Sequence, residues 1–381
     1  MKLGLEVFLE QYLDEYLNKR IGLVTNPTGV NQKLESTIDL FFELLNLKAL
    51  FSPEHGIRAD IKEGEKFEDM VDDVTGLPVF SLYGKTRKPT QEMLENIDVM
   101  FFDIQDIGSR YYTFIYTLAY VMQACKEHGK EVVVLDRPNP IGGRKVEGNL
   151  VENDFTSFVG LYPIPTRHGM TIGELAKFFN EEHHIHCDLT IIPMEGWARH
   201  KYFDELGLSW VPPSPNVTGL YMQLLYPGTC LVEGTNLSEG RGTVRPFEMI
   251  GAPFINARSL AEEFNRLGLE GVLARPVTFI PTYQKFKDEK CYGVQLHVID
   301  RDTIQPVEAG IRLLHLIYHL YPNDMTFIEN DRLRHCFFDL LAGTDQVRKV
   351  ITSTNINQYL EKLKRDYERF LPIRKRHLIY E

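Results

Sequence analysis

Along the first half of the chain, short apolar runs alternate with segments whose apolar residues recur at helical spacing. Ile21 to Thr25 is the first run, rich in β-branched residues and closed by Asn26, Pro27 and Gly29. Ile38, Leu40, Phe41, Leu44 and Leu45 then repeat as one face of an amphipathic helix. Further runs follow at Ala49 to Phe51, Leu77 to Leu82, Asp98 to Asp103, Glu131 to Asp136 and Leu189 to Ile192. Between them, Phe114, Ile115, Leu118, Ala119 and Met122 predict a long helix that Gly129 closes, and Ile172 to Phe179 predicts another. Runs that are apolar throughout are strands buried on both faces. Their alternation with helices predicts an α/β fold with a mostly parallel sheet covered on each side.

The pattern changes after Trp197. Residues 211 to 255 are rich in Pro, Gly, Asn, Thr and Ser with little periodicity, which reads as a long functional loop. Beyond it the spacing predicts helices over 259–267, 309–320 and 356–370, and strands over 277–280 and 294–299. The expected division is a catalytic domain over 1–250 and a smaller domain over 251–381.

Composition narrows the function. The 381 residues are 43% hydrophobic and 25% charged, ordinary for a chain with a sizeable core. A net charge of −11 argues against a nucleic-acid partner, because phosphate binding needs clustered cations. No apolar stretch is long enough to span a membrane. Five widely spaced cysteines without a CxxC pair read as free thiols. The N-terminus lacks the apolar core of a signal peptide, so the expected location is the cytoplasm. Oligomeric state is not legible.

The chemistry collects where strands end. In an open parallel sheet, ligands bind beyond the carboxyl ends of the strands. Here those ends carry Asn26, then Glu54 and His55, then Asp103, then Asp136 and Arg137. The competing role for each is a helix cap or a structural pair. Ser52-Pro53-Glu54-His55-Gly56-Ile57-Arg58 places ionisable groups on a stiff backbone. Asp103-Ile104-Gln105-Asp106 runs on to Arg110, with one Asp expected to cap. Asp136-Arg137-Pro138 continues to Glu147. Arg167 and His168 stand at a helix entry, a favourable place for an anion, with Thr171 as the alternative N-cap. Tyr226 to Thr243 carries Glu233, Asn236, Glu239 and Arg241 among glycines, as a sugar-binding loop would. Neither GxGxxG nor GxxxxGK[ST] occurs, so nucleotide binding is poorly supported. His183, His184, His186 and Cys187 have no partner pair at zinc spacing and read as a solvated helix end. Ser214 does not sit in a G-x-S-x-G elbow. Nothing calls for a metal or an organic cofactor.

Taken together, SPEHGIR, GLPVFSLYG, FDIQDIGSRYYT, VLDRPNPIGG, RHGMTIGELA, PPSPN and YPGTCLVEGTNLSEGRGT resemble the bacterial exo-β-N-acetylmuramidase family over nearly the whole chain. The resemblance implies a Rossmann-like, doubly wound domain, a smaller α+β C-terminal domain and a cleft between them. It implies release of terminal N-acetylmuramic acid from the non-reducing end of peptidoglycan fragments. Most glycosidases use two carboxyl groups. Glu54 is the first candidate, since it matches the family's PEHG motif. Asp103, Asp106, Glu147, Glu233 and Glu239 are the candidates for the second. Asn26, His55, Arg58, Arg110, Asp136, Arg137, Arg167, His168, Asn236 and Arg241 are candidate substrate contacts. Arg58 and Arg167 are favoured for the sugar's lactyl carboxylate. Two rival readings are an amidase or esterase acting on the lactyl-peptide side, and a muropeptide-binding protein without catalysis.

Overall fold

The computed structural model describes residues 1–54, 56–57, 69–329 and 334–381. Seven strands build the larger sheet: β1 (Arg20–Thr25), β2 (Asn46–Ser52), β3 (Met70–Val71), β4 (Pro78–Ser81), β5 (Val99–Asp103), β6 (Glu131–Leu135) and β7 (Leu189–Ile192). Their order is β3-β4-β2-β1-β5-β6-β7, and every pairing except β3 with β4 is parallel. From β1 the chain winds out to one side through β2 and β4, then returns to wind out the other way through β5, β6 and β7. This is the doubly wound order of a Rossmann-like sheet, with its crevice between β1 and β5.

The apolar runs are explained by helices on both faces. Successive residues of a strand point to opposite sides. Val24, Phe102 and Val134 therefore join a core with Ile115, Leu118 and Leu175 from helices Phe114–Glu127 and Ile172–Glu182. Leu23, Phe101 and Val133 face the other way, against Phe8 and Phe41 from helices Gly4–Gln11 and Thr37–Leu44. The Phe101 ring meets the edges of Phe8 and Phe41 at centroid distances of 4.9 and 5.0 Å.

A smaller antiparallel sheet follows: β8 (Met249–Ala252), β9 (Val272–Phe279) and β10 (Cys291–Val298), in the order β8-β10-β9. Helices Ala257–Arg266 and Pro306–Leu320 accompany it. The long helix Ile356–His377 packs back onto the first unit, where Phe370 meets Phe178 at 5.5 Å. No helix among the described residues is long and apolar enough to cross a membrane.

Residues 211–255 are not the loop that their composition predicts. They hold a helix, Leu220–Thr229, a 3-10 turn, Cys230–Gly234, and β8. Pro227 and Gly228 disguise the helix, because both ordinarily break one. Gly228 is there for packing. A Cβ on it would lie 1.9 Å from the carbonyl oxygen of Pro306, and a Cβ on Gly310 would lie 2.4 Å from that of Gly228. Helices Leu220–Thr229 and Pro306–Leu320 thus cross backbone to backbone.

Candidate active site

The crevice between β1 and β5 is filled by the protein itself. Asp103, at the end of β5, is fully buried and receives Arg137 Nε at 2.5 Å and Nη2 at 2.9 Å. Thr37 Oγ1 donates to the same carboxylate at 2.6 Å. Asn26 folds back to accept from the Thr28 N–H and hydroxyl, and donates to Pro213 O at 3.4 Å. Only about 20 Å³ of space remains beside Arg137 and Gln105.

A larger cleft, about 610 Å³, opens to one side, between the ends of β2 and β4 and the second unit. That is the size of a small-molecule site. Glu54 enters it two residues beyond β2, behind Pro53. Thr113, the N-cap of helix Phe114–Glu127, donates through Oγ1 to Glu54 Oε2 at 3.2 Å, so this carboxylate stands where a helix end favours negative charge. Tyr83 follows β4. Burial, then the charge and hydrogen bond of Glu54, push its phenol above the usual range.

The facing wall comes from the glycine-rich segment. Glu233 lies in the 3-10 turn after helix Leu220–Thr229 and lines the cleft with 21% of its side chain exposed. Arg241 Nη2 donates to its Oε1 at 2.6 Å. Burial raises the Glu233 pKa above the ordinary value, Arg241 opposes the rise and the charge of Glu239 adds to it. Glu239 lies behind, nearly buried, taking Arg241 at 3.2 Å and Lys285 at 3.0 Å. The Lys285 ammonium also donates to the carbonyls of Val232, Glu233 and Leu237, stitching the turn into one conformation. Tyr83, Tyr112, Phe158, Tyr226 and Phe247 supply aromatic walls, and Ser214 and Asn216 from the Pro-Pro-Ser-Pro-Asn segment add polar groups.

The other sequence candidates lie elsewhere. Asp106 accepts from the Gly108 N–H at 2.8 Å and sits 3.3 Å from His168 Nε2, with both residues buried. Arg110 is fully buried and donates to the carbonyls of Asn149, Ile164, Leu341 and Ala342, tying the two units together. Asp136 accepts from Thr171, Gly173 and Tyr380, and burial pushes it up to about 7. Thr171 is the N-cap of helix Ile172–Glu182 in a capping box with Glu174. Glu147 takes the Glu308 N–H at 2.9 Å and is pushed by burial up to about 7. It lines a separate cavity of about 360 Å³ with Arg167, whose Nη2 donates to Ile141 O at 2.6 Å. Asn236 spans Asp324 O and the Thr326 N–H. His55 and Arg58 lie outside the described residues. Among the described residues, no group of three or more His, Cys, Asp or Glu could hold a metal. Tyr83, Arg87 and Lys285 were not singled out from sequence. Arg87 and Lys285 stand in Lys-Thr-Arg-Lys and Lys-Phe-Lys, which read as solvated charge.

Two carboxyl groups line one aromatic-walled cleft on a doubly wound α/β body, an arrangement compatible with the glycosidase class. Residues 21–220 match the family description "Exo-beta-N-acetylmuramidase NamZ, N-terminal", and residues 224–380 match its C-terminal counterpart. The chain belongs to the exo-β-N-acetylmuramidase NamZ family and is a glycoside hydrolase. It is 48% identical over 380 residues to the peptidoglycan beta-N-acetylmuramidase NamZ of Bacillus subtilis (strain 168), covering 99% of this chain and 91% of that protein. Crystal structures of two DUF1343 family proteins from Bacteroides fragilis NCTC 9343 share the fold. One has a TM-score of 0.92 at 40% identity, and the other 0.78 at 32%. Each alignment covers 100% of this chain and 99% of the other.

Proposed function

We propose that this protein is an exo-β-N-acetylmuramidase that releases terminal N-acetylmuramic acid from the non-reducing end of peptidoglycan fragments, with Glu54 and Glu233 as its two catalytic carboxyl groups. The observation that carries this reading is that both groups line one cleft, Glu54 just beyond β2 and Glu233 in the turn after helix Leu220–Thr229. Glycoside cleavage needs a proton on the leaving oxygen and a negative charge near the developing oxocarbenium ion. Burial favours the protonated form of Glu233, which suits the donor role. Glu54, beside a helix N-terminus, suits the role of carboxylate. The aromatic walls offer flat apolar surface to the faces of a pyranose.

In this assignment Asp103, Asp106, Asp136, Arg110, Arg137 and Asn236 hold the scaffold, and Glu239 orients Arg241. A chromogenic N-acetylmuramic acid β-glycoside tests the reading. The wild type should release the aglycone, and Glu54→Gln should lose roughly 10²–10⁴-fold or more in kcat while keeping its melting temperature. A Glu54→Gln variant with near wild-type turnover would remove Glu54 from the chemistry. An amidase or esterase would leave the glycoside intact.

A further inference from the structure

The proposed substrate differs from N-acetylglucosamine by one lactyl ether, which ends in a carboxylate. A chain with net charge −11 repels that group, so a local cation must receive it. The described lining of the cleft contains two cationic side chains, Arg87 and Arg241. Arg241 is committed to Glu233 and Glu239. Arg87 is different. Among the described residues it is paired with no carboxylate. Its guanidinium lies 3.8 Å above the Phe158 ring, with the Tyr83 ring 5.9 Å away. Stacking on an aromatic face fixes the plane of a guanidinium and leaves its N–H edge free. Tyr83 in turn adjoins Glu54, so the stacked cation stands on the same wall as that carboxylate.

We propose that Arg87 is the specificity residue of this cleft and receives the lactyl carboxylate through its exposed N–H edge, with Phe158 as the platform that holds it flat. The assignment rests on the proposed muramidase function and adds the group that separates muramic acid from glucosamine. It moves this role away from Arg167, which is buried beside another cavity.

Three substrates test it: chromogenic β-glycosides of N-acetylmuramic acid, of its lactyl methyl ester, and of N-acetylglucosamine. The ester keeps the shape and removes the charge. Wild type should prefer the free acid over the ester by about ten- to a hundredfold in kcat/KM, the worth of a charge-assisted hydrogen bond. Arg87→Ala should lose that factor on the free acid, mainly through KM, and should treat acid and ester alike. Arg87→Lys should recover part of the preference, since charge returns without the planar fork. Equal losses by Arg87→Ala on all three glycosides, or a wild type indifferent to esterification, would overturn the assignment. Arg87 is exposed, so the variant should fold, and a matching circular dichroism spectrum would show it. A wild type that cleaves none of the three would instead overturn the proposed function, and this assignment with it.

Discussion

Glu233 and Arg241 share one short hydrogen bond, and a pH profile should read what that contact does to a proton. If Glu233 donates its proton to the leaving oxygen, turnover falls as pH rises through its pKa, because the acid form disappears. Burial sets that pKa above the usual glutamate range, and Arg241 holds it down. In Arg241→Met the opposing cation is gone, so the alkaline limb of kcat/KM should move to higher pH. In Glu233→Gln the limb should vanish along with most of the rate. An alkaline limb that stays in place in Arg241→Met would mean that another group titrates. At this scale the sequence showed which residues could do chemistry and not which neighbour each would take. Asp103 and Arg137 are both polar residues at strand ends, and nothing local says that they bind each other across the crevice. Arg87 gave no signal, because a stacked arginine and a solvated one are spelled alike.

Elements were more legible, and the exceptions share a cause. Strands β1, β5, β6 and β7 and the helices starting at Phe114 and Ile172 follow their apolar periods closely. Helix Leu220–Thr229 was hidden because a tertiary contact overrides its local propensities. Gly310, on the partner helix, offers a direct test. A Gly→Ala change inside a helix ordinarily stabilises by about 0.5–1 kcal/mol. Here the new Cβ would lie 2.4 Å from the Gly228 carbonyl oxygen, and overpacking of that kind costs about 1–3 kcal/mol. Steric strain should win, so Gly310→Ala should lower the urea midpoint. Helix Leu220–Thr229 runs straight into the turn that carries Glu233, so kcat should fall as well. A variant more stable than wild type would show that the two helices can move apart freely.

The two units of the molecule are also joined by the last few residues. Tyr380 donates to Asp136 at 2.5 Å and accepts from the Met194 N–H, and the Ile379 N–H donates to Glu174. The folded pKa of Asp136, about 7, lies above the ordinary 3.8. The stability tied to this group is therefore complete below about pH 4 and is lost as pH climbs through about 7. Below that point Tyr380 bonds a neutral acid, and above it a carboxylate. Tyr380→Phe should then cost about 1 kcal/mol at pH 5 and up to about 3 kcal/mol at pH 8.5. Urea unfolding at the two pH values measures the difference. An equal cost at both would mean that Asp136 does not change its charge between them. The apolar spacing predicts a terminal helix over 356–370 only; Ile379 and Tyr380 fall beyond it, and a contact across 244 positions leaves no local trace.

The Asp103–Arg137 pair has a pharmacological corollary. Sheets wound in this order commonly offer their central crevice to nucleotides and other ligands. Here a carboxylate and a guanidinium already occupy the seat, and evicting either would strand a bare buried charge at about 3–5 kcal/mol. Compounds built for that crevice should pass this enzyme by. A selective inhibitor has to be shaped to the neighbouring cleft instead: a flattened, cationic ring to mimic the oxocarbenium ion, with an acidic arm aimed at Arg87.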